Sequence, residues 1–232
     1  MEPGSRRKVI EVYERSLQRH GPTVRALHWG GESNQQTRFR VLSEVGPWEG
    51  ASVADIGCGL GDFFGFLRDR GHGVDYTGYD IVPGMVEAAR LKYPDPQARF
   101  EVRDILEDGL PGPFDYLVAS GTFNIRVENH EEFLRGMLAL MYAQCRRAVA
   151  FNALQPMSPS RPRFAEVKAL CGDFYYEIGS EELLALCRTV CPHVELREGY
   201  LYEETSDLWY KNDSTVFMYK DEVDENPQNA GR

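Results

Sequence analysis

Apolar residues recur along this chain with two periods, and the switching between them marks alternating helices and strands. Val9, Ile10, Tyr13 and Leu17 share one helical face. Phe39, Val41, Leu42 and Val45 belong to a second helix, behind a Ser33-Asn34-Gln35-Gln36 segment of capping-box form. Gly30-Gly31 breaks the chain between the two. The run Val53-Ala54-Asp55-Ile56 then reads as a buried strand, and Phe63, Phe64, Phe66 and Leu67 as an amphipathic helix closed by a Gly71-His72-Gly73 turn. The alternation continues with a strand over 76–80 and a helix with Pro83 in its first turn, carrying Met85, Val86, Ala89 and Leu91. A strand over 98–105 follows, in which Phe100 and Val102 alternate with charged neighbours, and another over 114–120. Asn129-His130-Glu131-Glu132 opens a helix through Met141, and a fifth strand covers 148–151. A helix capped at Ser180-Glu181-Glu182 and two strands, 193–196 and 214–219, complete the pattern. Strands alternating with helices predict an α/β fold.

The first strand ends in Asp55 and runs into Gly57, Gly59 and Gly61. Glycine has no Cβ, so such a loop lets backbone approach a ligand. The helix behind it points free N–H groups at an anion. The spacing is G-x-G-x-G. A dinucleotide fingerprint, G-x-G-x-x-G, would need its third glycine where Asp62 stands. A carboxylate at Asp55 repels a pyrophosphate and suits a ligand carrying positive charge. S-adenosylmethionine has a sulfonium and an ammonium, which favours it over a nicotinamide dinucleotide.

Bulk composition narrows the reading. The chain has 232 residues, 42% hydrophobic and 27% charged, which suits one domain with a substantial core. A net charge of −10 argues against a nucleic-acid partner, whose phosphates call for excess Lys and Arg. No apolar run approaches the ~20 residues of a membrane span. The N-terminal residues lack the apolar stretch of a secretory signal. The five cysteines, Cys58, Cys145, Cys171, Cys187 and Cys191, are odd in number and scattered, as in a reducing cytoplasm. Cys187 and Cys191 share a helical face, but without a complete ligand set they read as small core residues and no metal is expected.

Taken in order, Asp55 with its glycine loop, Asp80 and Asp104 near the ends of the next two strands, and the Phe114-Asp115-Tyr116-Leu117 run resemble the class I S-adenosylmethionine-dependent methyltransferases. The resemblance covers residues 52–122. It implies a three-layer Rossmann-like sandwich with a seven-stranded, mostly parallel sheet, an antiparallel C-terminal hairpin and an N-terminal helical cap. It also implies that Asp55, Gly57, Cys58 and Gly59 cradle the cofactor and that Asp80 holds its ribose. Ile81 and Met85 would pack near the adenine, Asp104 would accept from the adenine amine beside Ile105, and Ser120 would line the crevice at the methyl donor. From the cap, Trp29, Gln35 and Arg38 would face the site, with Arg38 pairing the cofactor carboxylate.

The expected division is a cap over 1–48, a methyltransferase domain over 49–220 and a flexible acidic tail over 221–232. The Pro-, Ser-, Arg- and Tyr-rich stretch 155–179 is expected to cover the acceptor, with Tyr175, Tyr176 and Phe123 as candidate pocket residues. His130 is the candidate base, with His28, next to Trp29, as a second. The amide-methylating signature N-P-P-Y is absent after the fourth strand. The expected acceptor is a small molecule, and the expected assembly a monomer or homodimer. Three alternatives remain open at this level: a non-catalytic S-adenosylmethionine-binding protein, an NAD-dependent oxidoreductase and a protein methyltransferase.

Overall fold

The computed structural model describes residues 1–157, 159, 165–166, 169, 174–200 and 213–221. Its strands are β1 (Ser52–Ile56), β2 (Asp75–Asp80), β3 (Ala98–Val102), β4 (Phe114–Ala119), β5 (Cys145–Leu154), β6 (His193–Arg197) and β7 (Asp213–Tyr219). Between them lie α1 (Pro3–His20), α2 (Glu32–Leu42), α3 (Asp62–Arg68), α4 (Pro83–Lys92), α5 (Ile105–Asp108), α6 (His130–Ala143) and α7 (Ser180–Arg188). The strands form one sheet in the order β3-β2-β1-β4-β5-β7-β6. β1 pairs in parallel with β2 and β4, β2 with β3, and β4 with β5. β7 runs antiparallel to both β5 and β6. The last two strands form the expected hairpin, and the later of them is the one that joins the rest of the sheet.

A parallel strand buried on both faces reads as a continuous apolar run, as in Leu117-Val118-Ala119 and Val149-Ala150-Phe151. Period-2 alternation deals these side chains to two cores. Ala54, Ile56, Leu117, Val149 and Phe151 meet Leu134 and Leu138 of α6 and Leu183 of α7 on one face. Val53, Tyr116, Val118, Ala148 and Ala150 meet α2, α3 and α4 on the other. The α2 residues Phe39, Val41 and Leu42 are buried in that second core, so this N-terminal helix is part of the layer that covers the sheet. α1 lies farther out. Its Ile10, Tyr13 and Leu17 pack on a smaller cluster of Ala26, Leu60, Val82 and Met85, above α4.

Several local expectations change. α2 begins at Glu32, with Gly31 as N-cap, so Ser33 and Gln36 do not form the reciprocal cap. Asn129 precedes α6 in the left-handed region (φ +50) and makes no side-chain cap bond, because a cap needs an extended backbone. Ser180 is the first helical residue of α7, not its cap, and its hydroxyl meets Gln155 and Glu198 instead. β3 ends at Val102, and Asp104 caps α5 by accepting from the Leu106 N–H at 3.2 Å. Leu91 on the outer side of α4 is 78% exposed, and Val102 at the end of edge strand β3 is 46% exposed, so neither is core. Cys187 and Cys191 are fully buried core residues. The acidic stretch 222–232 and most of 158–173 lie outside the described residues.

Candidate active site

The order of the sheet reverses between β1 and β4, and a cavity opens at the carboxyl ends of the strands there, where open α/β sheets bind ligands. The glycine loop forms its floor. Gly57, Gly59 and Gly61 have φ of +73°, +52° and +73°, in the left-handed region that side chains disfavour. A Cβ on Gly57 would lie 2.5 Å from Thr122 Oγ1, whose hydroxyl donates to the Ile56 carbonyl at 2.6 Å. The loop is braced by β2. Gly57 and Cys58 donate their N–H groups to the Tyr79 carbonyl at 2.7 and 3.1 Å. Gly59 donates to Asp80 Oδ2 at 2.8 Å, while Asp80 Oδ1 accepts from Val82 at 2.9 Å.

Four carboxylates surround this floor. Asp55 is buried at the end of β1 and accepts a hydrogen bond from the Tyr76 hydroxyl. Burial pushes its pKa up to about 7; the Tyr76 bond opposes the rise, and the charges of Asp80 and Asp62 add to it. Burial also raises Asp80, against the pull of its backbone N–H donors. Asp62 opens α3 and is held by Lys92, with Gln35 Nε2 donating at 3.0 Å. Asp104 uses Oδ1 to cap α5, but its buried Oδ2 accepts no hydrogen bond, and Arg6 Nε stands 3.8 Å away. A buried acceptor without a donor is costly. The site therefore offers negative charge and free acceptor capacity. S-adenosylmethionine would bring the complementary groups: a sulfonium, an ammonium, ribose hydroxyls and an exocyclic amine.

The structure brings most of the residues singled out in the sequence to this one cavity. From β1 and its loop come Asp55, Gly57, Cys58 and Gly59, and from the end of β2 and the start of α4 come Asp80, Ile81 and Met85. Asp104 and Ile105 line it past β3, Ser120 past β4, and Trp29 and Gln35 from the N-terminal segment. The Trp29 ring lies on Gly121, where a Cβ would come within 2.9 Å of it.

Two residues are placed elsewhere. Arg38, read as the partner of a cofactor carboxylate, is outside the lining; it is buried in an ion pair with Asp213 of β7, and its guanidinium sits 4.4 Å above the Trp29 ring. His130 is outside the lining too. Its ring stacks on Tyr176 at 3.8 Å, its Nδ1 accepts from the Val127 N–H at 3.2 Å, and burial together with Arg126 lowers its pKa to about 4. That imidazole is a neutral structural acceptor. Tyr175 reaches the cavity, whereas Tyr176 does not, and Phe123 packs edge-on against Phe151 in the core.

Asn152 of β5 was not anticipated. It is fully buried, donates to Ser120 Oγ at 3.1 Å and accepts the Gly121 N–H at 2.8 Å, fixing the turn after β4. A polar residue directly after the apolar run 148–151 is the signal that points to it. Tyr13 also lines the cavity, but its spacing matches a packing position and carries no such signal. Among the described residues, no cluster of His, Cys, Asp or Glu is placed to bind a metal, and no helix is long and apolar enough to cross a membrane.

Comparison with known proteins agrees with this geometry. Residues 53–143 match the family described as "Methyltransferase domain". A Mycobacterium tuberculosis protein named as a methyltransferase, Rv1506c, is 31% identical over 173 residues, spanning 72% of this chain and 96% of that one. A malonyl-[acyl-carrier protein] O-methyltransferase of Acetivibrio thermocellus is 35% identical over 71 residues, which is 31% of this chain and 25% of that enzyme. In three dimensions the fold is similar to the magnesium protoporphyrin IX methyltransferase of Synechocystis PCC 6803 with bound SAH, with a TM-score of 0.64, 17% identity, and coverage of 92% of this chain and 99% of the other. The chain belongs to the class I S-adenosylmethionine-dependent methyltransferases.

Proposed function

We propose that this methyltransferase acts on a small molecule, by in-line displacement and chiefly through positioning. The observation that carries the reading is the continuity of the cavity. It runs from the glycine loop, past Ser120 and Gly121, to a wall made by α1 and the segment after β4. A donor seated on the loop and an acceptor on that wall would share one cavity.

The chain's residues divide the work. The 57–61 loop and Asp55 hold the amino-acid end of the donor, Asp80 its ribose hydroxyls, and Asp104 Oδ2 its exocyclic amine, beside Ile81, Met85 and Ile105. Trp29, Ser120 and Gly121 bound the place where donor and acceptor meet. Bound S-adenosylmethionine supplies a methyl group already activated by its sulfonium. The protein's part is then alignment and exclusion of water, and good alignment alone is worth roughly 7–11 kcal/mol. No side chain is assigned as a base in this reading; a proton released by an O–H or N–H acceptor passes to solvent. The buried thiols Cys58, Cys145, Cys187 and Cys191 are free, which supports a reducing, cytoplasmic setting. Tyr175, near the end of the stretch 155–179, lines the acceptor side, which supports a covering role for the described residues around it.

A labelling experiment tests the acceptor class. A cell extract is incubated with the protein and donor carrying a labelled methyl group, then separated by size. Once the donor is removed by chromatography, label is expected in a low-molecular-weight product that does not form when the protein is left out. Label confined to protein or to nucleic acid would contradict the proposal.

A further inference from the structure

The wall facing the donor site differs in character from the rest of the cavity. It is built from α1 and the segment that follows β4. Val9, Ile125 and Val127 form a buried apolar cluster there, joined by Tyr13 and Phe133. Ile125 makes an antiparallel bridge with Tyr175, and the segment alternates as a strand does. Ile125 and Val127 point inward. Arg126 between them is exposed and lies over the Tyr176 ring, outside the lining. Among the described residues of the cavity, the only charged side chains are Asp55, Asp62, Asp80 and Asp104, all around the glycine loop and the cofactor strands. This wall has no Asp, Glu, Lys or Arg side chain; Met1 packs at its edge and the His28 ring stands 5.4 Å from Tyr13.

On this side of the cavity, away from Asp104 Oδ2, a second buried acceptor lacks a donor. Asn124 is 6% exposed, lines the cavity, and its Oδ1 accepts no hydrogen bond. Its backbone is fully used: the N–H donates to the Gly121 carbonyl at 3.3 Å and the carbonyl accepts from Tyr176 at 2.9 Å. The backbone is thereby fixed, and the buried side-chain oxygen keeps a free lone pair. A buried acceptor of this kind is compensated when a ligand brings a donor to it. An unpaired ionic group carried into such a wall would lose its hydration without a counter-charge.

We infer that the methyl acceptor is an uncharged, largely apolar and aromatic small molecule with one O–H or N–H group, and that Asn124 Oδ1 receives that group's hydrogen bond. This inference rests on the methyltransferase reading. It identifies Asn124 as the residue that selects acceptors bearing a donor, while Val9, Ile125, Val127, Tyr13 and Phe133 select apolar bodies. The pocket distinguishes ligands mainly by what it cannot solvate.

Binding of chosen probes tests it without knowledge of the natural acceptor. The protein is first titrated with S-adenosylhomocysteine; failure of that ligand to bind would sink the methyltransferase reading itself. The saturated protein is then titrated with para-butylphenol, para-butylanisole, tyramine and para-hydroxyphenylpropionate. The neutral phenol is expected to bind about tenfold more tightly than its anisole, which lacks the donor, and than either charged probe. In Asn124→Leu, and in Asn124→Ala as a second variant, the preference for phenol over anisole is expected to fall below about twofold. A charged probe binding as tightly as the phenol, or no binding of the phenol up to about 1 mM, would overturn the apolar acceptor class. An undiminished preference in either variant that still binds S-adenosylhomocysteine would overturn the role of Asn124.

Discussion

Asp55 is the residue on which pH acts most directly. Its pKa in the folded protein is raised from 3.8 to about 7, so the folded state holds its proton more tightly than the unfolded chain between those values. Stability therefore falls as pH rises through that window and levels off above it; below it the group contributes nothing, because both states are protonated. Thermal unfolding of the unliganded protein should show this decline between pH of about 4 and about 7, and Asp55→Asn should remove part of it. An identical pH profile in the variant would contradict the assignment. A donor with sulfonium and ammonium groups favours the ionised carboxylate, so its stabilising effect should grow across the same window. Asp55, Asp80 and Asp104 were legible because each stands at or just past the end of a strand pattern, where the strand meets the ligand crevice; Asp62, at the start of a helix, was not read as a site residue. Arg38 was not. Its partner Asp213 lies 175 residues away, and no local pattern announces that pairing. The place of His130 depends in the same way on Tyr176, which arrives from a distant segment.

At the scale of elements, the strand–loop–helix unit made by β1, the 57–61 loop and α3 carries the most constraint. Gly57 needs both its left-handed φ of +73° and an open side toward Thr122. Gly57→Ala should cost about 1–3 kcal/mol of stability, measured by denaturant unfolding, and should weaken S-adenosylhomocysteine binding as well. A variant as stable as the parent would show that the loop tolerates a side chain, against the tight fit to Thr122. The existence of the strands and helices followed from periodicity because the cores on the two faces of the sheet demand it. Helix starts were read less well. The segments at Ser33, Asn129 and Ser180 carry the residue types of caps, yet capping depends on backbone angles that composition does not reveal: Asn129 is left-handed, and α2 and α7 each begin after a glycine.

In the whole molecule, α2, the sheet and the cavity are joined by one chain of contacts. Asp213 on β7 pairs with Arg38 on α2, the Arg38 guanidinium covers Trp29, and Trp29 rests on Gly121, which Asn152 of β5 holds in turn. The pair is buried, so removing one partner strands the other. Arg38→Met should cost about 3–5 kcal/mol, and the double variant Arg38→Met, Asp213→Leu clearly less than the sum of the single changes. Additive losses in a double-mutant cycle would show that the two residues act independently. This linkage was illegible in the sequence, because it depends on β7 lying between β5 and β6 and on α2 packing into the sheet core. The hairpin was expected, but nothing in the pattern of 193–196 and 214–219 says which strand meets β5.

The most direct test of the account is a calorimetric titration of S-adenosylhomocysteine and NADH into the wild-type protein and Asp80→Ala. S-adenosylhomocysteine should bind the wild type, NADH should not, and the variant should bind S-adenosylhomocysteine more weakly by about 1–3 kcal/mol through loss of the ribose contacts. Binding of NADH in its place, or equal affinity in Asp80→Ala, would contradict the assignment of this glycine loop and its carboxylates to the methyl donor.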